Sequence, residues 1–247
     1  MKICVHLRPN NVLRLAMVTV NEMTKFHDQV HVFKDRFEAG EVLGGMLEAQ
    51  YAQKTDVVAL GIPSGGIPVA LKISETLGCP YDLIIVRKLQ IPGNPEAGFG
   101  AMTQEGSVFL NERLLAEFRL TTDQIEQETE RVKAKLEKRN RLFRGGGSFP
   151  DLAGKEAIIV DDGLASGYTM LASIHSAKKA GARRIVVAVP TAPLRTIERI
   201  KSGVDEIYCA NIRESHFFAV ADAYKQWHDL NDREVLQLLG KTKEQEI

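Results

Sequence analysis

Little in this sequence leans to one side. Its 32 basic and 32 acidic residues cancel to a formal net charge of zero, so it lacks the basic excess that marks nucleic-acid and anionic-membrane binders. Nowhere does it approach the ~20 consecutive apolar residues needed to span a bilayer. Lys2, His6, Arg8, Asn10, Asn11 and Arg14 scatter polar groups through the N-terminus, so no secretory segment is expected there. Cysteine is scarce: Cys4, Cys79 and Cys209 are odd in number, far apart and without Cys-x-x-Cys spacing. That argues against a disulfide framework and for a reducing compartment. There is no Gly-x-x-x-x-Gly-Lys-[Ser/Thr] motif, and Gly98-Phe-Gly100 lacks the third glycine of a dinucleotide fingerprint. These absences leave a soluble, cytoplasmic protein, with neither nucleic acid nor membrane as an expected partner.

What remains is a chain of 247 residues, 44% of them hydrophobic, enough for one large domain or one domain with an insertion. Residues 1–30 carry no clean period and are expected to form an N-terminal extension. From 34 to 51 the pattern is helical, with Phe37, Val42, Leu43, Met46 and Leu47 as an apolar stripe. Short apolar runs at 56–60 and 82–86 read as buried parallel strands, and the helix between them closes at Gly78, a residue suited to a left-handed C-cap. Further strands are expected at 156–160, 184–189 and 206–209, with helices at 166–180 and 193–201. Alternating β and α segments imply an α/β fold, an open five-stranded parallel sheet flanked by helices. Residues 111–150 differ: they are highly charged, helical and end at Gly145-Gly146-Gly147. They are read as a helical insertion whose helices are solvated on the surface.

The most informative segment is Ile158-Ile-Val-Asp-Asp-Gly-Leu-Ala-Ser-Gly-Tyr-Thr169. A strand of branched aliphatics delivers Asp161 and Asp162 at its carboxyl end, where open α/β sheets bind ligands. Gly163, Leu164, Ala165, Ser166, Gly167, Tyr168 and Thr169 follow as a small-residue loop running into a helix. Such a loop lets backbone N–H groups converge on an anion, assisted by the positive end of the helix dipole. The two acids beside it repel a second close anion but accept hydrogen bonds from sugar hydroxyls. Phosphate beside a vicinal diol describes a ribose 5-phosphate end. Paired aspartates at a strand end also cap helices or hold metals, but that reading leaves Ser166-Gly-Tyr-Thr169 unexplained.

On these residues the sequence resembles the type I phosphoribosyltransferases, whose signature for phosphoribosyl pyrophosphate (PRPP) is a hydrophobic strand, two acids, a small-residue loop, then Ser or Thr, Gly and Thr. It is similar to a stand-alone prokaryotic group of that family from about residue 33 onward. The resemblance implies the type I fold, with a flexible hairpin over 89–109 that closes as a lid and a C-terminal hood over 210–247. It also implies transfer of the 5-phosphoribosyl group to a nitrogenous acceptor, with Mg2+ as cofactor. Asp161, Asp162 and Lys88 would be catalytic, and Gly163 to Thr169 would hold the 5-phosphate. Ser64, Gly65, Gly66, Arg87 and Lys88 would hold pyrophosphate. Mg2+ would be held mainly through PRPP and water near the two aspartates, and Phe217, Phe218 and Trp227 in the hood would face the acceptor. PRPP and a small-molecule acceptor are thus the implied partners, and a homodimer is compatible with the family. Two departures stand out. Ser64 occupies a position where the group usually carries Arg, which keeps a second class open: a regulatory protein that binds PRPP or a nucleotide without turnover. Ala165 replaces the acid found in 6-oxopurine enzymes, and no segment names the acceptor.

Overall fold

The computed structural model describes residues 18–241, the side chains of 95–97 excepted. Residues 1–17, which hold Cys4 and most of the expected extension, and residues 242–247 lie outside the described residues. In chain order the strands are β1 (Thr19–Asn21), β2 (Val57–Gly61), β3 (Tyr81–Leu83), β4 (Val86–Ile91) and β5 (Asn94–Thr103). They continue as β6 (Val108–Leu110), β7 (Glu156–Val160), β8 (Arg184–Pro193) and β9 (Glu206–Arg213). The helices are α1 (Arg36–Tyr51), α2 (Gly66–Leu77), α3 (Glu112–Glu117), α4 (Thr122–Arg144), α5 (Tyr168–Lys179), α6 (Leu194–Ile200) and α7 (Asp232–Leu238).

The main sheet is parallel, in the order β1-β9-β8-β7-β2-β3. To the five strands expected from the sequence it adds β1 at one edge, paired in register from Thr19 opposite Glu206. The pleat sends alternate side chains to opposite faces. Val58, Leu60, Ile159 and Val187 pack with Met170, Ile174 and Ile197 of α5 and α6. Val57, Ala59, Ile158, Val160 and Val186 pack with Leu43, Leu47, Val69 and Ile73 of α1 and α2. Both faces are covered, which is why these strands read as continuous apolar runs. Cys79 and Cys209 are buried as free thiols.

Two expectations change. Residues 82–86 do not form one core strand: pairing with β2 ends at Gly61–Leu83, and Ile84 N donates to the Gly61 carbonyl at 3.0 Å. With no neighbour beyond Gly61, the chain leaves the sheet. Val86 opens a separate antiparallel sheet, β4-β5-β6, so the apolar run expected as one core strand is divided between two sheets, and Arg87 and Lys88 lie on β4, opposite Met102 and Ala101. Nor is the charged segment merely solvated. Val132, Leu136 and Phe143 of α4 are buried in a third cluster with Leu89 and Phe99 of the hairpin and Val235 of α7. The buried Glu128 of α4 accepts from Gln90 N at 2.9 Å, tying helix to hairpin.

From β2 the chain crosses through α2 to β3 on one side; from β7 it crosses through α5 to β8 on the other. β2 and β7 are neighbours, in register from Val57–Glu156 to Gly61–Val160. Their outgoing loops therefore diverge and leave a crevice at the carboxyl end of the sheet, the position where doubly wound folds bind ligands.

Candidate functional site

Two loops form that crevice. The first leaves β2 as Ile62-Pro-Ser-Gly65, with a cis Pro63–Ser64 peptide. The second leaves β7 as Asp161 to Gly167. They touch at Ile62 N, which donates to the Val160 carbonyl at 2.8 Å, and the glycines set how closely. A Cβ on Gly65 would overlap the Asp162 carboxylate, and one on Gly66 would lie 2.6 Å from Val160 O and 3.0 Å from Asp161 Cα. Because those Gly66 neighbours are backbone, relief requires the two strands to move apart. Gly66→Ala is therefore expected to cost about 1–3 kcal/mol and to open the crevice, read as a lower thermal midpoint than wild type. An unchanged midpoint would show that the loops are not held this tightly.

The second loop is oriented by α6. The Ala165 carbonyl accepts from Thr196 Oγ1 at 2.6 Å, and the Ser166 carbonyl accepts from the Arg199 guanidinium. In a trans peptide the following N–H points opposite to the carbonyl. With both carbonyls drawn towards α6, the Ser166 and Gly167 N–H groups face away from it. Gly167 sits at φ +80°, and a Cβ there would lie 2.8 Å from Thr196 Cγ2, so only glycine suits the position. Among the described residues the amides of Ala165 to Thr169 donate to no backbone carbonyl. Five amides at a helix N-terminus, carrying its partial positive charge, make an anion cradle.

Beside this cradle Asp161 and Asp162 sit next to a guanidinium. Arg36 Nε donates to Asp162 Oδ2 at 2.7 Å and its Nη1 to the His228 carbonyl at 2.9 Å, with the Trp227 ring 3.9 Å from its central carbon. Both partners are nearly enclosed, with side-chain exposures of 8% and 14%. The Tyr224 hydroxyl donates to the Asp162 carbonyl at 2.6 Å. Asp161 Oδ1 accepts from Asp162 N at 2.9 Å. Burial first, and the Asp162 charge second, push the Asp161 carboxyl well above the ordinary range. Burial also raises Asp162, while Arg36 pulls it back down. The crevice thus sets a row of uncommitted amides beside two poorly solvated acids.

The remaining expected residues lie on β4 and in the segment after β9. Arg87 and Lys88 are half-buried on β4. Val220, in the segment expected as hood, lies over Gly163: a Cβ there would be 2.6 Å from its Cγ1. Trp227 is 36% exposed and stacks on Arg36, whereas Phe217 is 89% exposed. Phe218 is half-buried.

This geometry has relatives. A model of the phosphoribosyl transferase domain matches residues 37–226. The chain belongs to that family. Provisionally named phosphoribosyl transferases from two Mycobacterium tuberculosis strains are 36% identical over 210 residues, 85% of this chain. The chain spans about half the length of these curated relatives, 47%. The crystal structure of TT1426 from Thermus thermophilus is 32% identical with a TM-score of 0.67, covering 84% of this chain and 97% of that one.

Within the family frame, three contributors have no signal in local sequence. Arg36 meets Asp162 across 126 positions, and Thr196 and Arg199 reach the loop across 31 and 33. A single arginine at a helix start, or a threonine in a short helix, looks the same whether or not it supports a site. Among the described residues no helix is long and apolar enough to cross a membrane.

Proposed function

We propose that the chain transfers the 5-phosphoribosyl group of PRPP to a nitrogenous acceptor, releasing pyrophosphate. The observation that carries this is the row of uncommitted amides from Ala165 to Thr169 beside the Asp161–Asp162 pair. The amides, with the Ser166 and Thr169 hydroxyls, bind the 5-phosphate. Asp161 and Asp162 accept from the ribose 2- and 3-hydroxyls, and their charge stabilises the positive sugar that develops as the bond from C1 to pyrophosphate lengthens. The acceptor nitrogen then bonds to C1 and pyrophosphate departs. Ser64, Gly65 and Gly66 line the pyrophosphate side with Arg87 and Lys88 of the hairpin. Closure of the β4–β5 hairpin excludes water from the reacting carbon. Phe217, Phe218 and Trp227 border the acceptor side. Rate enhancement on this scheme comes from positioning and preorganised charge.

Mg2+ fits this donor set. The ion takes one or two carboxylates together with substrate phosphates and water, and two adjacent carboxylates are what the crevice offers. Among the described residues no group of three or more His, Cys, Asp or Glu converges into a metal cage. Asp161 and Asp162 would hold the ion, mainly through water and PRPP, and when bound it would supply positive charge that offsets the charge of pyrophosphate.

Calorimetric titration tests the reading. PRPP with Mg2+ is expected to bind at least about tenfold more tightly than ribose 5-phosphate, a gap of ~1.4 kcal/mol, and pyrophosphate release is expected with a suitable amine or base. Equal affinity for both sugars would remove the pyrophosphate side of the site. Binding without release across a broad panel of acceptors would favour the regulatory class that Ser64 keeps open.

A further inference from the structure

The loop from Gly61 to Gly66 contains no cation of its own, yet a guanidinium stands over it. Arg139 lies on α4, 75 positions from Ser64. Its Nη1 reaches the Pro63 carbonyl at 3.4 Å and its Nη2 reaches Ser64 Oγ at 3.4 Å. Its carboxylate partner, Asp232 at the start of α7, is 3.5 Å away and 46% exposed, while Arg139 is only 18% exposed. All three contacts lie at the long end of hydrogen-bond geometry. Arginines with structural duties in this fold look different: Arg36 meets Asp162 at 2.7 Å and Arg144 meets Asp82 at 2.8 Å.

Arg139 is also not alone. Arg87 on β4 is close enough that its charge, after burial, lowers the basicity of Arg139. Lys135, one turn earlier on α4, is lowered by burial, then by Arg131 and Arg87. The acids that act on Arg87 are Asp232 and Glu128, and Glu128 is already held by Arg131 at 2.5 Å and by Gln90 N. Arg139, which touches the loop, therefore stands in a cluster where Arg87, Arg131 and Lys135 outnumber the acids Asp232 and Glu128. In that loop neither the Ser64 nor the Gly65 amide donates to a backbone carbonyl among the described residues. Like charges gather at such cost where an anion compensates them.

We infer that Arg139 is a pyrophosphate-binding residue, whose guanidinium joins Arg87 over the Gly61–Gly66 loop and makes the helical insertion one wall of the site. The inference rests on the proposed reading of that loop as the pyrophosphate side. A guanidinium presents a planar fork of donors that matches two non-bridging oxygens. Its long contacts to Pro63, Ser64 and Asp232 are weak enough to be exchanged for shorter ones to an anion. The insertion then has a chemical role that its surface-helix composition conceals.

The test compares PRPP with Mg2+, inorganic pyrophosphate and ribose 5-phosphate by calorimetry on wild type, Arg139→Ala, Arg139→Lys and Asp232→Ala. Arg139→Ala is expected to weaken PRPP and pyrophosphate about tenfold or more and to leave ribose 5-phosphate within about twofold of wild type. Arg139→Lys restores part of the loss, because charge returns without the fork. Asp232→Ala keeps or tightens PRPP binding, since it frees the guanidinium. Unchanged PRPP affinity in Arg139→Ala overturns the inference. So does an equal loss in Asp232→Ala, which would mean that Arg139 acts only by tethering α7 to α4. If wild type binds ribose 5-phosphate but not pyrophosphate or PRPP, the pyrophosphate reading of the loop fails. If it binds none of the three, the ribose-phosphate reading fails as well.

Discussion

Asp161→Asn is expected to make the ligand-free protein more heat-stable while weakening PRPP binding, opposite effects from one atom change. Asn keeps the Oδ1 that accepts from Asp162 N at 2.9 Å, so the loop retains its local bond. What disappears is a carboxylate that burial and the Asp162 charge already disfavour. Because the folded-state value of Asp161 lies above the unfolded one, the folded protein holds a proton that the unfolded chain releases between those two values. Wild-type stability therefore falls as pH rises through that window. The melting-temperature advantage of Asp161→Asn should be small in acid, grow as pH rises from the ordinary carboxylate range, and level off above the Asp161 folded value. Thermal melts of both proteins between about pH 4 and 8 measure it. A mutant that melts below wild type throughout would show that Asp161 is a structural acid. For binding, each lost charge-assisted hydrogen bond is worth about 1.5–3 kcal/mol. The double variant Asp161→Asn with Asp162→Asn should thus leave no measurable PRPP affinity, with the far-ultraviolet circular dichroism of wild type. Normal PRPP binding by the double variant would mean that the ribose is held elsewhere.

Arg36→Met carries the largest expected stability loss. It removes the ion pair to Asp162, the donation to the His228 carbonyl and the stacking on Trp227 together. It leaves two adjacent carboxylates in the crevice without their cation. Removing one member of a buried pair costs about 3–5 kcal/mol, on the order of a 10 °C fall in midpoint for a chain of this size. Asp162 loses the charge that holds its carboxyl down, so the variant should bind PRPP only at higher pH than wild type. The same variant loosens the segment near His228, which Arg36 joins to α1 through its Nη1. Arg36→Lys keeps the charge but not the planar stacking face, and should fall between the two in both midpoint and pH profile. A midpoint within about 1 °C of wild type for Arg36→Met would mean that the pair is solvated and contributes as little as a surface ion pair.

Arg36 also marks where periodic reading fails. The apolar stripe expected on the first helix includes Phe37, yet Phe37 is 39% exposed and Arg36 is buried. The inward face runs through Arg36, Ala39, Gly40, Leu43, Gly44 and Leu47. Glycines contribute nothing to a count of large apolar residues, although Gly40 and Gly44 decide the packing. Cβ atoms there would lie 2.7 Å from Lys72 Cβ and 2.6 Å from Thr76 Oγ1 of α2. Gly78 and Gly145, by contrast, were legible as helix stops, and both adopt left-handed C-cap geometry, at φ +64° and +69°.

By itself the sequence determined the parallel α/β sheet, the helix ends and the Asp161–Thr169 loop with its family. Those features are written in contiguous residues: runs of branched aliphatics buried on both faces, a left-handed glycine, two acids followed by small residues at a strand end. The tertiary structure alone decided that β1 adds an edge strand, that residues 82–86 divide between two sheets, and that Arg36, Thr196, Arg199 and Arg139 converge on the two loops. Each of those outcomes depends on a partner 31 or more positions away, or on where a neighbouring strand ends. Local composition carries no record of such pairings, because the energy that selects them arises only when packed elements exclude water from both partners.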